Sequence, residues 1–265
     1  MSDITLIDDS EQSSLVTNGL AKNGEMYLKK AGSTNAGSIV VYDSGAWKTF
    51  ANEYSASFAN AYSVDFDGVD DYLTLASELT LAAPFSLSFW IKPANSNVFL
   101  TATSVGSSYI YFNNGNLIFR GGGGEVTTTT YTSNVWQHFA FTLDGSNNLE
   151  VYKNGSATGP YSYTSSAGWQ FKDVGRYKTN TFFLNGYCDE LSVFNSALSS
   201  SDVSSLIDAT GSNPVPADIS SLSPIHWWRM GDNDNGTGTT VTDQGSGSSN
   251  LSFVNSPAFS SEVPS

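Results

Sequence analysis

The sequence predicts an all-β protein, an antiparallel β-sandwich with one short helix, and three observations carry that expectation. Aromatic residues make up 13% of the 265 residues and glycine contributes 24, while many Ser, Thr and Asn separate short apolar runs as turn residues do. Several runs alternate apolar and polar side chains, the period of a strand with one buried face. Two of them close on Asn-Gly, the dipeptide that best tolerates the positive φ angles of a tight hairpin turn.

Taken in order, "GEMYLKKAGSTNAGSIVVYDSGAWKTFAN" (24–52) alternates around small turns and reads as a small β-hairpin module inside an N-terminal segment, 1–60. "FSLSFWI" (85–91) and "VWQHFAFTL" (135–143) are strands with one or both faces buried. "YIYFNNGNLIF" (109–119) is a hairpin turning at Asn114-Gly115, and "LEVYKNG" (149–155) turns at Asn154-Gly155. The helical stretch is "SSSDVSSLIDA" (199–209): Ser199 and Asp202 form a capping-box variant ahead of Val203, Leu206 and Ile207 at helical spacing. "NPVPADISSLSP" (213–224) reads as a linker, yet a core-type strand, "HWWRM", follows it at 226–230. The expected organisation is an N-terminal module over 1–60, a sandwich body over 61–212, and a linker with a C-terminal strand over 213–265.

Composition excludes several function classes. Asp and Glu total 25 against 11 Lys and Arg, a net charge of -14, which argues against a phosphate backbone as partner. The plain use of such acidity is solubility; steering of cations is the sharper one. No apolar run reaches the length a membrane-spanning helix needs. No basic stretch followed by an apolar one opens the chain, so synthesis in a cytoplasm is expected. Cys188, the single cysteine, has no internal partner for a disulfide.

"SVDFDGVDDYLTL" (63–75), "FSLSFWIKP" (85–93), "VWQHFAFTLDGSNNLEVYKNG" (135–155) and "YCDELSVFNSALSSSDVSSLI" (187–207) resemble, in that order, the successive motifs of the laminin-G-like jelly-roll family of the concanavalin A-like lectin and glucanase superfamily. The resemblance spans about 62–208 and implies a concanavalin A-like jelly roll; a fold of this kind hosts many functions. The family's domain commonly begins with a strand of the type "aWrmdegsGttvtDssGngnnltl". Here that pattern stands at the end, as "HWWRMGDNDNGTGTTVTDQGSGSSNLSFVNSP" (226–257). Either the C-terminal strand folds back into the slot of the missing first strand, a circular permutation, or it is the truncated start of a second repeat. An unclosed sheet edge is a liability, which favours the first. In the first 60 residues, the hairpin module resembles the "lYl…lyvYdGsaWv" element of bacteriophage fibre and other virion proteins. That resemblance implies a virion structural protein, a capsid decoration or fibre-like appendage, joined to other virion proteins through its N-terminal module; the alternative is a stand-alone carbohydrate-binding adhesin, with a glycan hydrolase ranked below both. For fibres, a homotrimer is the family-level expectation.

Candidate chemistry follows from residue types. Glucanases need two carboxylates on one strand face; no E-x-D-x-E or E-x-D-x-x-E strand occurs, and Asp189 and Glu190, being adjacent, are expected on opposite faces. His138, His226 and Cys188 sit in apolar strand-like runs and read as packed. No catalytic residue is assigned, and no enzyme is expected. Asp67, Asp70 and Asp71 in "DFDGVDD" offer the hard oxygen ligands calcium prefers; the superfamily resemblance implies a rim calcium that Asp189 and Glu190 would complete. The other reading of that turn is that the aspartates cap backbone amides. "GDNDNG" (231–236) lacks an EF-hand's later glutamate and reads as a loop. For a host-surface glycan, Tyr109, Tyr111, Trp169, Arg176 and Tyr177 lie in or beside hairpins and loops, where aromatic faces can stack on sugar rings. "GGGGE" (121–125) is a loop tip without the strand and helix of a phosphate cradle.

Overall fold

Hairpins drive the architecture. At both Asn-Gly turns the two central residues take positive φ, 48° and 81° at Asn114-Gly115 and 49° and 77° at Asn154-Gly155, the geometry whose twist matches that of the flanking strands. The computed structural model describes residues 5–17, 26–29, 39–43, 46–50, 58–94, 96, 98–103, 108–121, 124–163, 168–211 and 213–265. The chain divides into two units, 1–59 and 60–265.

The first unit carries a four-stranded sheet in which Thr5–Ile7 pairs in parallel with Met26–Lys29, followed by the antiparallel strands Ile39–Asp43 and Ala46–Phe50. It also holds a helix that the sequence reading missed, Asp9–Thr17. Asp8 and Glu11 cap it reciprocally, each side chain accepting the other's backbone N–H at 2.8 Å.

The second unit is a two-sheet sandwich. One sheet has eight strands in the order Gly124–Thr130, Asn116–Gly121, Tyr109–Asn113, Val98–Thr101, Trp169–Val174, Tyr72–Leu81, Leu251–Val254 and Thr240–Val241. The other has nine, with Ser156–Ala157, Asn148–Lys153, Gln137–Leu143, Phe85–Pro93, Asn185–Phe194, Ser63–Asp67 and Ala258–Ser260 in sequence. Tyr161–Ser162 joins the Asn148–Lys153 strand, and His226–Trp228 joins Asn185–Phe194. Between the sheets lies one apolar core in which Phe66, Phe89, Phe99, Phe119, Phe141, Phe171 and Trp228 are fully buried.

The C-terminal residues are built into both sheets. His226–Trp228 runs antiparallel to Leu191–Val193, beyond the end of the Ser63–Asp67 pairing on the same strand. Leu251–Val254 pairs with the Tyr72–Leu81 strand of the opposite sheet, and Ala258–Ser260 pairs with Ser63–Asp65. Alternation assigns the two tryptophans as the sequence implies: Trp228 enters the core, and Trp227 turns to the far side, where its indole N–H donates to Glu190. Asp243 fastens this return, accepting from the backbone N–H of Trp227 (2.8 Å), Gly245 (2.8 Å) and Ser249 (2.7 Å) and pairing with His226 Nδ1 at 2.6 Å.

Two expectations are corrected here. The helix at 199–209 spans only Ser200–Ser204; Ser199 and Asp202 do form its capping box, but Ile207–Asp208 is a strand paired with Val215–Pro216. The segment read as a linker therefore carries a strand, and a 3-10 turn at Ser220–Leu222 as well. His138, buried beside Ser88 Oγ at 2.8 Å, is held near pKa 3 by burial. No helix among the described residues is long and apolar enough to cross a membrane.

A chain stopped at Asn213 loses five strand pairings and a buried indole, and is expected to aggregate or to lose its cooperative melt. Trp228→Ala in the full chain should cost about 3–5 kcal/mol, read by denaturant unfolding. A 1–213 protein as stable as the whole chain would contradict this.

Candidate functional site

Along Tyr109–Asn113, Ile110 and Phe112 point into the core, so Tyr109 and Tyr111 stand on the solvent face of the eight-stranded sheet. Their rings meet edge-on, 5.2 Å between centroids. Tyr177 arrives from the loop between Trp169–Val174 and Asn185–Phe194, with its ring 5.8 Å from Tyr109 and nearly perpendicular to it. That loop is closed by Tyr177 N–H to Thr181 O at 3.0 Å and Asn180 N–H to Tyr177 O at 3.0 Å. Phe182 follows, 63% exposed and at φ 55°. A left-handed backbone is a strained conformation for a bulky residue, and such outliers gather at ligand sites. Together with Ser96, Val98, Phe112 and Asn113, these four rings line a concavity of about 400 Å³, within the range of small-ligand sites.

A polar network adjoins it through Tyr111. The Tyr111 hydroxyl donates to Glu125 Oε1 at 3.0 Å, and Arg120 Nη1 donates to Glu125 Oε2 at 3.3 Å. Burial and the Glu125 carboxylate push the Tyr111 phenol well above its ordinary range, so it remains a donor.

The structure thus brings Tyr109, Tyr111 and Tyr177 together and separates the other two expected glycan residues. Trp169 is 1% exposed, packed in the core against Phe85, Phe119 and Phe171, with its N–H donating to Arg120 O at 2.8 Å. It offers no face to a ligand. Arg176 lies 3.6 Å over the Tyr72 ring and pairs with Asp173 at 2.8 Å, away from the concavity's lining. Phe182, Ser96 and Asn113 were missed. The adjacent Phe182 and Phe183 carried a signal, since two neighbouring aromatics on extended backbone cannot both face the core.

The acidic residues fall into two groups instead of one. Asn185 faces Asp67 across the sheet, which puts Asp189 four residues, about 13 Å, farther along the strand. Asp67, Asp70 and Asp71 form the first group. Asp67 Oδ1 accepts from Val69 N–H (2.7 Å) and Asp70 N–H (3.4 Å), and Asp71 accepts from Ser256 N–H (2.8 Å) and Asp67 N–H (3.3 Å). Asp67 Oδ1 and Asp71 Oδ2 are therefore committed to the turn, and Asp71 Oδ1 to the C-terminal segment.

Asp189, Glu190 and Asp232 form the second group, with one oxygen of each within 4.8 Å of the others. The expectation of opposite faces for Asp189 and Glu190 fails here. A bulge shifts the register between Asp189 and Ser192, and Glu190 takes φ 48°, which breaks the period of two. The missing charge is supplied from within. Arg229 donates to Glu190 at 3.0 Å and to Asp232 at 3.3 Å, Asn60 donates to Asp189 at 2.9 Å, and Ala61 N–H donates to Asp232 at 2.8 Å. These donors, with the Trp227 N–H, engage carboxylate oxygens of the second group that a calcium ion would need as ligands; they do not reach the first group.

A family profile described as "Concanavalin A-like lectin/glucanases superfamily" matches residues 67–204, just over half of the chain. The protein is a lectin-like β-sandwich, and the chain belongs to this superfamily. No curated protein matches it in sequence. Among solved structures it is similar to a candidate carbohydrate-binding protein from Bacteroides ovatus, at 16% identity and TM-score 0.60, over 92% of this chain and 71% of that one. A heptameric SAP-like pentraxin from Limulus polyphemus aligns at 16% identity and TM-score 0.47, over 60% of this chain and 87% of that one. The first of these likenesses supports the fold.

Burial, first, and mutual repulsion raise Asp189 well above the ordinary carboxylate range, and burial raises Glu190 to about 7 despite Arg229. The folded state then holds more protons than the unfolded chain between the ordinary carboxylate value and about 7, so stability falls as pH rises through that window. The melting temperature is expected to drop from pH 5 to pH 8, with Glu190→Gln flattening the drop and chelator leaving it unchanged. A rise over that range, or a shift with calcium, would count against the Arg229 network as the compensating charge.

Proposed function

We propose that residues 60–265 are a carbohydrate-binding domain whose ligand stacks on the Tyr109, Tyr111, Tyr177 and Phe182 rings. The observation that carries this reading is Phe182, a large apolar ring left 63% exposed on left-handed backbone at the mouth of an aromatic concavity. Aromatic faces with nearby amide and hydroxyl groups are what a pyranose ring requires, an apolar face to cover and hydroxyls to bond. Asn113 and Ser96 supply the polar groups at the lining.

The chain as a whole is read as a bacteriophage virion component, a decoration or fibre-like appendage, with residues 1–59 as the attachment arm. The hairpin module supports this, with Tyr42 opposite Trp47 in paired strands, as does the separation of the two units. The domain is read as a binder and not a glycosidase, because Asp189 and Glu190 are buried and their neighbours hold them away from solvent.

A glycan array probed with the purified chain should give specific signals that Tyr177→Ala and Phe182→Gly each weaken at least tenfold, about 1.4 kcal/mol. Phe182→Gly should keep or raise the melting temperature, since glycine relieves the left-handed strain. Binding that both variants retain would overturn the assignment of the site. For the particle, deleting residues 1–59 should leave a folded protein that no longer incorporates into virions; normal incorporation would place the anchor elsewhere.

A further inference from the structure

Resting on that reading of the concavity, we infer that its ligand is an uncharged sugar, and that the Tyr177 hydroxyl and the Asn113 carboxamide read its hydroxyl groups. Besides the aromatic rings, the lining holds Val98, Ser96 and Asn113, so among the described residues no charged side chain lines it. The parts of 60–265 outside the described residues, at 95, 97, 104–107, 122–123, 164–167 and 212, contain no Asp, Glu, Lys, Arg or His. A sugar carboxylate entering the concavity would therefore give up water without gaining a cation, and a desolvated charge without a partner is costly. The excess of 25 acidic over 11 basic residues adds a second penalty for an anion.

The charges beside the concavity are balanced among themselves. Arg120 donates to Glu125 Oε2 at 3.3 Å and to the Tyr109 hydroxyl, while Glu125 Oε1 accepts from Tyr111. Lys178 is attracted by Glu78, which itself accepts from the backbone N–H and the hydroxyl of Thr103. An anionic ligand would compete with Glu125 for Arg120, and a cationic one with Arg120 for Glu125; an uncharged sugar disturbs neither pair. The Tyr109 and Tyr111 hydroxyls are committed to this network, which leaves their rings for the apolar face of a sugar. Ser96 Oγ is held by the Tyr131 hydroxyl at 3.0 Å and by Asn114 N–H at 3.2 Å. The Tyr177 hydroxyl and the Asn113 carboxamide, by contrast, have no bond to another described residue, and each can both donate and accept. A sugar hydroxyl does the same, and a site that bonds a hydroxyl discriminates against a ligand lacking it.

The full chain, Tyr177→Phe, Asn113→Ala and Arg120→Gln are compared on an array of matched oligosaccharides: neutral sugars, their uronic acids, the methyl esters of those acids, and amino sugars with and without N-acetylation. Neutral sugars and methyl esters should exceed the free acids at least tenfold, N-acetyl forms should exceed free amines, and affinity should change less than about twofold as salt is raised. Tyr177→Phe, which keeps the ring, and Asn113→Ala should each weaken binding about three- to tenfold, the range of a single hydrogen bond, while Arg120→Gln should keep the preference for uncharged sugars. Free acids bound as well as their esters, amines bound as well as their N-acetyl forms, or affinity that falls steeply with salt overturns the inference; the carbohydrate reading then still stands if Tyr177→Ala removes the binding. Full affinity in both Tyr177→Phe and Asn113→Ala overturns the assignment of the two reading groups. Absence of binding to every sugar overturns the inference and the carbohydrate reading together, and near-wild-type melting temperatures of the variants show that the losses belong to the site.

Discussion

The antiparallel pairing of His226–Trp228 with Leu191–Val193 is the constraint on which the second unit depends. It carries Trp228 into the core and sets Arg229 beside Glu190. Without it three buried or half-buried carboxylates would face one another with no cation, and unpaired buried charge is among the costliest defects a fold can carry. The same segment brings Asp243 to the backbone amides of Trp227, Gly245 and Ser249, and it leads into the strands that extend both sheets. A stretch of sequence at the far end of the chain thus supplies core, charge balance and sheet edges together.

The candidate binding face draws its rigidity from the same sandwich. Tyr109 and Tyr111 sit on a strand whose other face is fixed by Ile110 and Phe112 in the core, so their rings are positioned by buried packing. Tyr177 and Phe182 sit on a loop, but one that is short and closed by its own backbone hydrogen bonds. A site assembled this way loses little entropy when a ligand binds, which is how modest aromatic surfaces achieve useful affinity.

Much of this was legible in the sequence wherever a local rule governs. The Asn-Gly turns, the alternation of the long strands and the Ser199–Asp202 cap belong to that class. So does the placement of the two adjacent tryptophans on opposite faces of their strand, Trp228 in the core and Trp227 buried against Glu190. The bulge at Glu190 was not legible, because strand alternation assumes an unbroken period and nothing in "YCDELSVF" marks the residue that leaves it. The error about Asp189 and Glu190 follows from that one assumption. Trp169 was legible and was misread: in "WQFKDV" the tryptophan alternates with Phe171, and both are in the core. Asp232 joined the buried carboxylates only through chain return, across some forty residues, which no local pattern encodes. The Asp9–Thr17 helix has too little apolar periodicity to stand out against a β-rich background.

Side-chain NMR of the full chain, with ring protons assigned for Tyr109, Tyr111, Tyr177 and Phe182, during titration with the strongest array ligand tests the location of the site most directly. Saturable shifts confined to those four rings and their neighbours are the expected result, while Trp136 and Tyr187, paired on the other sheet at 6.2 Å, stay unmoved. Shifts centred on Trp136 and Tyr187, with the four rings unchanged, would contradict the assignment of carbohydrate binding to this face.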